Sequence, residues 1–82
     1  MKILVLFFAS IREAAQTQEL ELEMTGSTVG EALAELGERM PTLLPYLGQA
    51  HAAVNECYCD PETILHEGDT LALIPPVSGG RA

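Results

Sequence analysis

Ser10, Ser27, Ser78, His51, His66, Cys57 and Cys59 supply the residue types from which nucleophiles, proton carriers and metal ligands are made. Their spacing assembles none of these. Each serine has a local reading, two as helix caps and one as a tail residue, and no Ser-His-Asp set is visible. His51 stands at the start of a short apolar run and His66 in a turn, where exposed histidines are ordinary. Cys57 and Cys59, two apart on a strand, share a face but sit poorly for bonding to each other. Cys-x-Cys also lacks the usual zinc spacing, so no metal is expected and both read as strand residues. The alternating Glu19, Glu21 and Glu23 are most simply one solvated strand face. Gly79-Gly80 makes no phosphate loop, because neither a helix nor a lysine follows it. The chain alone is not expected to be an enzyme.

The C-terminal stretch Pro75-Pro76-Val77-Ser78-Gly79-Gly80-Arg81-Ala82 offers a different chemistry. Two prolines fix φ and set an extended, polyproline-like direction. The two glycines then give a thread without side-chain bulk, free to adopt angles that other residues avoid. Such a thread fits a narrow slot on another protein. A carboxylate at its end is a poor electrophile until it carries a good leaving group, such as an acyl adenylate. Sulfur attack on that adenylate leaves a thiocarboxylate. Ordering such a backbone costs about 1–2 kcal/mol per residue, so the folded body must supply a docking surface as well. The competing reading is a frayed terminus without a task.

An 82-residue chain with 48% apolar residues has room for one core. Trp is absent, so aliphatic side chains must fill it. Four cations, Lys2, Arg12, Arg39 and Arg81, stand against twelve acids, for a formal net charge of -8. That balance cannot build the cationic face that nucleic acid or an anionic membrane requires. It suits basic protein partners, although from charge alone mere solubility is the favoured reading. The apolar run Ile3–Ala9 is followed at once by charged residues, and no stretch approaches a membrane span, so a cytoplasmic location is expected.

The elements that must carry the tail can be read in order. Ile3–Ala9 is continuously apolar and predicts a strand covered on both faces near the centre of a sheet. Ser10 is a candidate cap for a short helical turn over Ile11–Ala15, with Glu13 as its capping-box partner. Glu19–Met24 alternates strictly and predicts a strand with one wet face, pairing antiparallel with the first. Thr28-Val29-Gly30-Glu31 is a capping box before a helix whose apolar stripe is Val29, Ala32, Leu33, Leu36 and Met40. Glu35 precedes Arg39 by the spacing that favours an ion pair, and Pro41 ends the helix. Residues 41–50 read as a loop holding a short turn. His51–Val54 and Cys57–Cys59 are short strands joined at Asn55-Glu56, and Ile64-Leu65 fill a core gap. His66-Glu67-Gly68-Asp69 turns into the final strand, Thr70–Ile74, which lies beside the first. This order gives an α+β, β-grasp (ubiquitin-like) fold, a mixed sheet of about four to five strands packed on one main helix. Residues 1–75 form that domain and 76–82 the tail with Gly79-Gly80.

Particular residues add a resemblance. Val5–Ala9 with Arg12-Glu13, Thr28-Val29 with Glu31-Ala32-Leu33, Ala52-Ala53-Val54-Asn55, Glu67-Gly68-Asp69 and Ile74–Gly80 resemble the small subunits of molybdopterin synthase, in order and over nearly the whole chain. The resemblance implies a sulfur carrier of molybdenum cofactor biosynthesis with no bound cofactor. A ubiquitin-activating-like adenylating enzyme would form a glycyl adenylate that becomes a thiocarboxylate. The tail would then enter the large synthase subunit and give sulfur to cyclic pyranopterin monophosphate. Gly80 matches the sulfur-bearing glycine, Gly79 the one before it, and Pro75, Pro76, Val77 and Ser78 the tail stem. Phe7 is a candidate for the apolar docking face by analogy. Arg81-Ala82 depart from the family pattern, in which the chain ordinarily ends at the second glycine. Activation at Gly80 therefore implies their removal. A carrier for thiamine thiazole or another acceptor, and a β-grasp interaction module without tail chemistry, are the alternatives.

Overall fold

The computed structural model describes residues 1–76; the tail residues Val77, Ser78, Gly79 and Gly80, and Arg81-Ala82 after them, lie outside the described range. The elements are β1 (Lys2–Phe7), α1 (Ala9–Ala15), β2 (Glu19–Glu23), α2 (Val29–Arg39), a 3-10 turn (Pro41–Leu43), α3 (Leu44–Leu47), β3 (His51–Val54), β4 (Cys57–Cys59) and β5 (Thr70–Ile74). The five strands form one mixed sheet in the order β2-β1-β5-β3-β4. β1 is antiparallel to β2, with Ile3 opposite Leu22, and parallel to β5, with Phe7 opposite Leu73. This is the expected β-grasp arrangement.

The period of two along each strand divides the sheet into two faces. Ile3, Val5 and Phe7 of β1, Leu22 of β2, Ala52 of β3, and Leu71 and Leu73 of β5 point to the helices. There they meet Ile11, Val29, Ala32, Leu36, Leu43 and Leu65 in one core. Leu33 and Met40 of the helix stripe are half-buried at its rim. The opposite sheet face is open. β1 alternates between buried and half-buried, so its apolar run is not covered on both sides as its composition suggested.

The main helix starts as its sequence specifies. The Thr28 side chain accepts from the Glu31 amide at 3.2 Å, and the Glu31 carboxylate accepts from the Thr28 amide at 3.0 Å. Segment 60–65 covers the remaining helix N-terminus, since the Val29 and Gly30 amides donate to the Thr63 and Pro61 carbonyls. The shorter helix departs from expectation. Its N-cap is Phe8, not Ser10, and no side chain caps it. Ala9 takes a left-handed φ of 51° and turns the chain sharply out of β1, which sets the helix start before Ser10. The expected Glu35–Arg39 pair does not form either. Glu35 instead accepts from Thr25 at 3.4 Å, while Arg39 donates to the Glu23 carbonyl at 3.3 Å. Both side chains find partners on the segment that leads into the helix. The pair expected to fill a core gap splits, with Leu65 buried and Ile64 exposed.

Asn55 and Glu56 both have positive φ, as a two-residue hairpin turn with the twist of its strands requires. Asn55 also clips this hairpin to the next strand. Its side chain accepts from the Thr70 amide and donates to the Asp69 carboxylate, each at 3.1 Å. The Asp69 carboxylate accepts from the His66 amide at 2.8 Å as well. The His66 amide, then the Asn55 side chain, hold the Asp69 carboxyl below its ordinary pKa.

Two expectations follow. Leu36 is fully buried, so Leu36→Ala should cost about 2–5 kcal/mol in urea unfolding, and half-buried Leu33→Ala clearly less. A depressed carboxyl pKa adds stability that is complete above the ordinary aspartate value of about 3.9 and is lost as pH falls through the lower folded value. Urea midpoints measured from pH 6 down to pH 2 should therefore drop less steeply for Asp69→Asn than for the parent protein.

Candidate functional site

The open sheet face is where this domain can meet another protein. The strand register sets side chains there in rows. Leu6 of β1 lies opposite Glu19 of β2 on one side and Ala72 of β5 on the other. Ala72 lies opposite Ala53 of β3, and Ala53 opposite Tyr58 of β4. A second row places Ile74 opposite His51. Ala53 is only 5% exposed yet takes no part in the helix-side core. Leu6, Phe8, Ala53, Asn55, Glu56, Thr70 and Ala72 line a groove of about 370 Å³ along this face. Its floor is apolar and its β2 margin carries the glutamates.

Phe8 stands at the top of the groove. Its amide donates to the Leu73 carbonyl at 3.2 Å, so the residue after β1 is tied to the strand that leads into the tail. Because β1 and β5 run parallel, both end at the same side of the sheet. Half-buried Pro75 and exposed Pro76 follow directly. The start of the tail stem and the apolar face are neighbours.

One sequence expectation is corrected here. Phe7, the candidate docking residue, is 2% exposed and belongs to the helix-side core. Alternation along β1 puts it on the inner face, and its successor Phe8, 37% exposed, is the aromatic on the surface. Tyr58, 75% exposed, packs edge-on to His51 with ring centroids 6.2 Å apart and extends the apolar row to β4. Sequence reasoning passed over Phe8, Tyr58 and Ile74. An aromatic between two cysteines in so short a strand was the one available signal for Tyr58.

The other candidates stay apart. Cys57 is exposed and Cys59 half-buried at the core margin, its thiol donating to the Ala52 carbonyl at 3.6 Å. His66 belongs to the Asp69 turn. Among the described residues, no three His, Cys, Asp or Glu side chains converge on a metal-sized site, and no helix is long and apolar enough to cross a membrane.

Comparison with known proteins accords with this geometry. A molybdopterin synthase sulfur carrier subunit of Mycobacterium tuberculosis is 35% identical over 82 residues, covering 98% of this chain and 99% of that one. SAMP1 from Haloferax volcanii superposes with a TM-score of 0.86 at 28% identity, covering 98% and 100% of the two chains. A chain in the complex of subunits 1 and 2 of the molybdopterin-converting factor from Helicobacter pylori gives a TM-score of 0.73 at 30% identity, covering 98% of this chain and 100% of that one. Residues 5–80, from within β1 to the second tail glycine, match the ThiS family, and the chain belongs to that family.

Proposed function

We propose that this chain is the sulfur-carrier small subunit of a molybdopterin synthase, inert alone and active as the donor within a complex. The observation that carries the reading is the adjacency of an open apolar face to the strand end from which the Gly-Gly tail departs. The face supplies binding energy, which offsets the cost of ordering the thread in a partner's slot. Relatives named as sulfur carrier subunits of molybdopterin synthase, and the two-subunit complex, support the assignment.

In this reading a ubiquitin-activating-like enzyme adenylates the Gly80 carboxylate, and sulfur replaces the adenylate to give a thiocarboxylate. Pro75, Pro76, Val77, Ser78 and Gly79 then thread into the large subunit, which uses the sulfur on cyclic pyranopterin monophosphate. No cofactor is bound, and the glycyl adenylate and thiocarboxylate are the covalent states. Arg81 follows Gly80 in the sequence, so the Gly80–Arg81 peptide bond is cleaved before adenylation.

Reconstitution tests this function. Gly80-ended, chemically thiolated protein should form molybdopterin with a synthase large subunit, while the Arg81-bearing form should not. Capture of a thiazole synthase in place of that subunit would overturn the assignment. Gly80→Val in the trimmed protein should abolish single-turnover sulfur transfer and leave the unfolding curve unchanged, because the described core draws on residues from Ile3 to Leu73. Phe8→Asp should weaken large-subunit binding at least about 30-fold by calorimetry, the size expected when an aromatic hot spot is lost. The variant should keep the parent's unfolding curve, since Phe8 takes no part in the buried core.

A further inference from the structure

A second surface lies at the edge of the sheet, along β4. This strand is the outer edge of the sheet, bonded only to β3. Among the described residues, the main-chain groups on its far side have no protein partner. Beside it, between α2 and the β3–β4 pair, is a cleft of about 180 Å³. Leu33, Val29, Ala50, Cys59 and Pro61 give it apolar walls. Ile64, 54% exposed, lies on the same covering segment as Pro61. The charges along this edge are of one sign. Glu56 precedes the strand, Asp60 and Glu62 follow it, and all three are exposed. The described cations sit elsewhere, Lys2 on β1, Arg12 on α1 and Arg39 at the last residue of α2.

We propose that the β4 edge and this cleft bind an extended, basic segment of a partner protein. The segment adds a strand to β4, seats one aliphatic side chain between Leu33 and Cys59, and sets lysines or arginines against Glu56, Asp60 and Glu62. Unpaired main-chain groups supply the directional bonds and the cleft selects the side chain, as in strand addition generally. A second copy of this chain is the wrong occupant, because its edge carries the same acids and its net charge is also -8. His51 and Tyr58, which end the apolar row of the open face, also border this cleft, while none of its lining residues belongs to the groove at Phe8.

The test uses the isolated protein and is therefore independent of sulfur transfer. A seven-residue acetylated peptide alternating lysine with valine, with leucine at its centre, is titrated against labelled protein and followed by amide shifts. The expected result is saturable shifts at residues 57–59, Leu33 and Ala50. Affinity should fall at least about tenfold when glycine replaces the central leucine, and again on Glu62→Lys. A Leu33→Lys variant that retains its native amide spectrum should lose the leucine preference. Equal binding of both peptides, shifts spread over all acidic surfaces, shifts confined to the groove at Phe8, or no binding would each overturn the proposal.

Discussion

The parallel pairing of β1 with β5 is the constraint on which the molecule depends. It joins residues from opposite ends of the chain, places β5 at the centre of the sheet, and brings two strand ends to one side. One of those ends turns into Phe8 and the other into Pro75. An antiparallel pairing would have put them at opposite margins, with the tail leaving far from Phe8. The hydrogen bond from Phe8 to Leu73 fixes the relation to a single geometry.

Around that pair, the sheet gives its two faces to different tasks. The inner face is filled by Ile3, Val5, Phe7, Leu71 and Leu73, and tolerates little change in volume. The outer face has alanines at its centre, Ala53 and Ala72, so the groove there is low and leaves room for a partner's side chains. The Asn55–Asp69–Thr70 clip explains two of the residue groups that stood out in the sequence. It locks the β3–β4 hairpin against β5 with side-chain bonds, and so steadies the floor of that groove without using core volume.

Most of the fold was legible because its signals are local. Strict alternation in Glu19–Met24, the Thr28–Glu31 capping box, Pro41 and the Asn55-Glu56 turn each name an element through nearest neighbours. The open apolar face was not legible in the same way. In Ile3–Phe8 every residue is apolar, so the sequence has no contrast of period two to say which side chains face inward. Phe7, named by analogy with the family, is buried, and Phe8 is the aromatic left on the surface. Ser10 failed as a cap because a left-handed Ala9 starts the helix early, and nothing in an alanine announces that angle. Glu35 and Arg39 have good helical spacing, but tertiary partners on the segment preceding α2 outcompete a pair worth only a few tenths of a kcal/mol.

β5 takes the central place in the sheet although it forms from the end of the folded domain. Until this strand, the last among the described residues, slides between β1 and β3, the hairpin at one end and the first strand at the other share no sheet. Pairing of such distant segments is slow, because the chain must close a long loop before the contacts stabilise it. The groove lined by Leu6, Ala53 and Ala72 therefore exists only once all three of these strands are paired, so a partner that reads this face also reads completed folding.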